Sequence, residues 1–217
     1  MARLSLAKTR AIYATADGRE AYRRKKEEGD HRVIEWRWAT GLLFGALPFE
    51  PECFHFGRGR PLRRPPTARN AYEFGFDNGG RLCVVRRWAG EHVPADETFY
   101  EWGDDRVVSF AYNVGGVELL NTRVHLLFEG KVARAWSVAI RGDYIHRFAY
   151  QDGLVTQIRM KLSREPAERV YAIVRRGNDV VRITCKQAER ESLTWTLPSN
   201  FKQEWFVRPG ERREAKP

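Results

Sequence analysis

Turn signatures recur at an almost constant interval along the middle of this 217-residue chain, and that interval constrains the fold more than any other feature. With Gly79, Asp104, Gly130, Gly153 and Gly177 as markers, the successive separations are 25, 26, 23 and 24 residues. Each marker sits between two runs of β-branched, aromatic and aliphatic residues. The clearest are VHLLFEGKVARAWSVAI, turning at Glu129-Gly130, and YIHRFAYQDGLVTQIRM, turning at Asp152-Gly153. Short glycine-containing turns of this kind supply the positive φ angles of tight hairpins. Five consecutive hairpins make about ten strands, and strands joined only by short turns pair antiparallel. The expectation is a mainly-β fold, an antiparallel up-and-down meander of about ten strands (curved sheet or barrel) with an N-terminal helical segment. Leu193, Trp195 and Leu197 suggest another strand, and Phe201 to Val207 one more.

The chain before the repeats divides into three parts. Residues 5–28, with Ala7, Ala11, Ala14 and Ala21, read as helix. Asp17-Gly18 offers a break, because glycine inside a helix costs about 1 kcal/mol relative to alanine. VIEWRWATGLLFGALPF, residues 33–49, reads as a strand followed by a tight helix or buried turn. GRGRPLRRPPTAR, residues 57–69, carries Arg58, Arg60, Arg63, Arg64 and Arg69 without an acid, while Pro61, Pro65 and Pro66 oppose regular pairing. It reads as an extended arm. The expected organisation is a single domain over 1–217: an N-terminal helical and apolar segment (1–56), the arm (57–69), the meander (70–207) and a frayed tail (208–217).

Alternation along the strands assigns faces. In KVARAWSVAI, Val132, Trp136, Val138 and Ile140 share a side with Arg134, and Ala133, Ala135, Ser137 and Ala139 form a row of small residues opposite. Small residues admit another backbone, so that row is where the N-terminal helix or the 41–49 segment is expected. Further along, Ile158, Met160 and Leu162 oppose Gln157, Arg159 and Lys161, as in a sheet with one wet face.

Composition narrows the function classes. The chain is 42% hydrophobic and has a net charge of +10, so it is not wholly disordered and it favours acidic partners. Cys53, Cys83 and Cys185 are odd in number and far apart, which points to a reducing cytoplasm rather than a disulfide framework. The first twenty residues lack the apolar core and cleavage site of a secretion signal. No run of about 18 apolar residues is present to span a membrane.

Chemistry is thinly marked. No HExxH, GxSxG, phosphate-binding glycine loop or CxxC occurs. Cys53 and His55 have ligand-like spacing but lack the third and fourth ligands of a metal site. His125 and His146 fall on adjoining hairpins, with Glu129 and Asp143 near in sequence, and are expected to be surface or edge histidines. No catalytic residue, cofactor or metal is expected. The expected binding residues are basic with interleaved aromatics: Arg86, Trp88, Arg134, Trp136, Arg147, Arg159, Arg175 and Arg182 on the wet face, and Arg58, Arg60, Arg63 and Arg64 on the arm. Such a surface suits an acidic protein partner; nucleic acid, its phosphates tracked by cations and its bases stacked on aromatics, is the alternative. A closed barrel holding an apolar small molecule is a third possibility.

YEFGFDNGGRLCVVRR resembles the Tyr-x-Tyr-Asp-x-x-Gly-Arg-Leu unit of YD-repeat (Rhs-type) β-meander proteins, with Phe76, Asp77, Gly80, Arg81 and Leu82 at the corresponding places, and FAYQDGLVTQI resembles it more loosely. The resemblance covers residues 70–186. It implies a small curved sheet and a bacterial setting, in which short meander proteins include immunity proteins that neutralise a toxin by binding it. The family's repeats are structural, so the resemblance assigns no functional residue.

Overall fold

A computed structural model describes residues 5–54, 58–65, 71–90, 93–177, 179–187 and 190–196, and in it the turn spacing becomes one continuous sheet. The five hairpins are β3 (Ala71–Phe76) with β4 (Leu82–Trp88), β5 (Pro94–Trp102) with β6 (Arg106–Asn113), β7 (Glu118–Phe128) with β8 (Lys131–Ala139), β9 (Tyr144–Gln151) with β10 (Leu154–Leu162), and β11 (Arg169–Arg176) with β12 (Asp179–Gln187). Every strand pairs antiparallel with the next, and β13 (Arg190–Thr196) extends the series. At the tightest turns φ is positive as expected: 50° and 71° at Glu129 and Gly130, 51° and 78° at Asp152 and Gly153. The strand expected at Phe201–Val207 and the tail lie outside the described residues.

Two strands join the other edge. β1 (Glu35–Ala39) lies antiparallel to β3, and β2 (Pro61–Leu62) pairs with Ala39 and Trp38 of β1. Thirteen strands thus form one sheet among the described residues, with β2 and β13 at its ends, and it is not closed. β2 corrects the expectation for the arm. Pro61 does enter the sheet, at the outermost position, where a missing N–H costs no ladder bond.

The helix breaks where expected. Ser5 caps α1 (Leu6–Ala16) by accepting a hydrogen bond from the Lys8 N–H, and Gly18, at φ 94°, turns the chain into α2 (Arg19–Arg32). Both helices lie on one face of the sheet, over β4, β5, β7 and β8. Ile12, Tyr13, Ala16 and Tyr22 bury Val84, Phe99, Phe110 and Tyr112. Gly29 allows this approach: a Cβ there would lie 2.9 Å from the Phe99 ring and 3.0 Å from Val84.

The opposite face is filled by residues 41–54, which end in the short helix α3 (Glu50–Cys53). Phe44 packs edge-on against Phe74 and Phe76 of β3 at 5.1 and 5.3 Å, while Tyr171 of β11 donates to the Cys53 carbonyl at 2.9 Å. From β3 to β11 a flat sheet would measure about 38 Å, at roughly 4.8 Å per strand. The nine residue-to-residue steps from Phe44 to Cys53 reach at most about 32 Å fully extended, and part of that stretch is helical. The sheet therefore curls around the segment. Leu47 packs on Ala135, so the 41–49 segment covers that part of the small-residue row; Val132, expected on the opposite side, joins the same cluster because the register shifts between β7 and β8 beside it. Alternation also shifts at β-bulges, one of which, between Val155 and Gln157, turns Val155 into the core beside Ile158.

Candidate functional site

Register on the helix-bearing face produces an arrangement that charge counting does not show. Arg134 stands directly opposite Arg147, Arg147 opposite Arg159, Arg159 opposite Val170, and Val170 opposite Lys186. At about 4.8 Å per strand, three arginines lie in a row about 10 Å long. All three are exposed, as are Arg182 and Lys186 beyond them, because the helices lie over strands no further along than β8.

Their charges are incompletely balanced. Glu168 accepts from Arg147 at 2.8 Å and lies 3.8 Å from Arg159. Arg134 sits over the Trp136 ring at 5.6 Å and has no carboxylate partner among the described residues. Like charges directly opposite on neighbouring strands oppose folding.

The other expected binding residues are placed differently. Arg86 lies on the same face but beneath α2, 14% exposed at its side chain, with Asp30, Glu73 and Glu97 around it and Trp36 at 4.7 Å. Burial works against its charge, and the three carboxylates outweigh that effect. Arg58 makes a two-pronged pair with buried Glu52, at 3.0 and 2.9 Å. Both guanidinium groups are thus engaged by carboxylates of the chain itself. Trp136 is 6% exposed, so it supports Arg134 instead of offering a stacking surface. Trp88 is half-buried on β4, four strands from the row. Arg175 is half-buried and donates to the Val155 carbonyl at 3.1 Å. Arg60, Arg63 and Arg64 are exposed beside β2, at the far edge of the sheet from β12.

The concave face carries a polar patch that sequence reasoning missed. One row across it reads Ser109, Arg123, Ser137, Tyr144, and the next Val107, His125, Ala135, His146, Met160. His125 and His146, expected at the surface, are both fully buried. Arg123 donates to Glu50 at 2.5 Å and to the Tyr144 hydroxyl at 2.9 Å. Burial opposes its charge, but Tyr144 and Glu50 hold its pKa above the ordinary range. His146 is pulled down to about 3 by burial and then by Arg123, and His125 is lowered by burial, Arg123 and His146. Of the acids near these histidines in sequence, Asp143 pairs with Arg10 and Glu129 forms a turn. A usable signal was the alternation Arg123-x-His125 and Tyr144-x-His146, two period-two polar pairs inside otherwise apolar strands.

Among the described residues no group of three or more His, Cys, Asp or Glu side chains is placed to hold a metal. His55, the second half of the Cys53 pair, lies outside the described residues. No described helix is long and apolar enough to cross a membrane.

No protein-family model matches the chain, and no curated protein does. Among solved structures it is similar to a porin-like protein from Bacteroides uniformis, at 19% identity and a TM-score of 0.44, over 60% of this chain and 54% of that one.

Proposed function

We propose that this protein is a non-enzymatic binding protein whose uncovered sheet face, β8 to β12, docks an acidic protein. The observation that carries this is the in-register row Arg134–Arg147–Arg159, continued by Arg182 and Lys186. A row of like charges lowers the stability of the chain that bears it, and a complementary acidic surface removes that cost on binding. Single-stranded nucleic acid is the weaker candidate, since Trp136, the tryptophan beside Arg134, is buried and offers no platform for bases. An apolar guest is weaker still, because Leu43, Phe44, Leu47 and Phe49 occupy the hollow it would need. The resemblance to YD-repeat proteins supports a toxin as the acidic partner. The three cysteines, all buried and none in a disulfide, suit a cytoplasmic setting.

The test measures fluorescence anisotropy of a labelled poly-glutamate peptide and of labelled single-stranded RNA and duplex DNA, each at two salt concentrations. Binding of the acidic peptide, lost in R134E/R147E/R159E, is the expected result. Binding that the triple variant leaves intact sinks the assignment to this face. Tighter binding of either nucleic acid, weakening steeply with salt, replaces the protein partner with nucleic acid.

A further inference from the structure

The buried polar patch on the concave face is notable for what its atoms can offer. Arg123 Nε, Ser137 Oγ, His125 Nδ1 and both ring nitrogens of His146 are buried without a hydrogen-bond partner among the described residues. Unpaired buried polar atoms are rare in folded proteins, and several in one place call for a guest. The kind of guest follows from counting donors. Arg123 Nε always carries a proton, and the Ser137 hydroxyl has one to give. His125 Nε2 lies 3.4 Å from the Ser109 hydroxyl; when it accepts from Ser109, the ring proton is on Nδ1. Neutral His146 carries one N–H. In that tautomer the patch presents four donors against two acceptors, the second His146 nitrogen and the Ser137 oxygen, so donors are in excess. A water molecule would bring two more donors of its own, whereas an anion brings acceptor capacity only.

Position supports the same reading. Arg123 faces Ser137 across the β7–β8 ladder, and His125 and His146 stand on either side of Ala135. The two middle residues, Ser137 and Ala135, are small, and the larger side chains that flank them stand on β7 and β9, strands about 10 Å apart. Glu50, Leu47 and Phe54 of the 41–54 segment lie against these residues. The charges facing the histidines are Arg123 from β7 and Glu50 from that segment, together with the hydroxyls of Ser109 on β6, Tyr144 on β9 and Tyr100 on β5. Arg123 and Glu50 cancel, so an anion alone would leave an enclosed site with a net negative charge. One proton on an imidazole restores neutrality.

We propose that this patch is an enclosed binding site for one small monoanion, of the size of chloride, bromide or formate, taken up together with one proton from solvent on His125 or His146. Occupancy ties the 41–54 segment to the sheet, because the same site is walled by Arg123 and roofed by Glu50 and Phe54. The site is separate from the outer arginine row and does not depend on that reading.

The experiment is calorimetric titration of the full chain with sodium bromide in gluconate at constant ionic strength, repeated in buffers of different ionisation heat to count protons. Expected are one bromide and one proton per chain, binding about tenfold tighter for each pH unit of acidification, and an anomalous bromine peak between His125 and His146 in crystals. Ser137→Ala and His146→Phe should each weaken binding at least tenfold. Ser137→Ala removes one hydroxyl and keeps the fold testable if His146→Phe does not. Absence of saturable binding, bromide uptake without a proton, or binding unchanged in both variants overturns the proposal.

Discussion

Arg123 Nη1 lies 2.5 Å from Glu50 Oε1, and this one ion pair joins the middle of the sheet to the segment that fills its hollow. Local geometry is arranged around it. Phe49, fully buried, takes a left-handed φ of 56° to present Glu50, and Gly45 leaves room for its carboxylate, which would stand 2.7 Å from a Cβ there. Both side chains are largely buried, at 7% and 14% exposure, so neither charge has much access to water.

Breaking the pair from one side should therefore be costly. Glu50→Ala leaves Arg123 buried and uncompensated, and urea denaturation should show a loss of about 3–5 kcal/mol. Glu50→Leu combined with Arg123→Met removes both charges and should recover most of that loss. A double variant no more stable than Glu50→Ala would refute this account of the pair.

Stability should fall on mild acidification. Both buried histidines have folded pKa values lowered by burial first, His146 to about 3, while in the unfolded chain histidine titrates near 6.5. Below about pH 6.5 the unfolded state binds protons that the folded state does not, so stability is lost as pH falls from there toward about 3. In gluconate buffer the slope should approach about 1.4 kcal/mol per pH unit for each histidine. His146→Phe should reduce it by one histidine's share; an unchanged slope between pH 6 and 5 would show that other groups dominate.

The outer arginine row makes stability and binding respond in opposite directions. Arg134→Glu places a carboxylate directly opposite Arg147, and the fold should gain a few tenths to about 1 kcal/mol. The same change should weaken binding of the acidic probe. A variant that loses both stability and binding would mean that Arg134 is structural.

Gly29→Ala reverses the usual helix rule. An exposed alanine would favour α2 by about 1 kcal/mol. Here the methyl would meet the Phe99 ring at 2.9 Å, and Phe99 is fully buried with nowhere to move. Overpacking should outweigh the gain, giving a net loss of about 1–2 kcal/mol in chemical denaturation.

Local signals carried the meander. The turn pairs Glu129-Gly130 and Asp152-Gly153 need positive φ wherever they occur, and the alternating runs beside them read the same in any context. The break at Asp17-Gly18 was legible for the same reason. The arm was misjudged because proline's missing N–H matters inside a sheet and not at its edge, and no local pattern says that residues 61–62 will find the outer side of β1. The histidines were misjudged because alternation separates two faces without saying which is covered. His125 and His146 share the concave face with Met160, beneath a segment more than seventy residues earlier in the chain.

By itself, then, the amino-acid order determined the five central hairpins, their antiparallel direction and their neighbour relations, since all of these follow from turn chemistry and period-two alternation over a few residues. Tertiary structure alone decided which face each element covers, that residues 41–54 enter the hollow, and that Arg134, Arg147 and Arg159 stand in one row while Arg86 is consumed by Glu97. Those outcomes depend on curl, on bulges that shift register, and on the contest between burial and charge among residues far apart in sequence. None of these is a property of any short stretch of the chain.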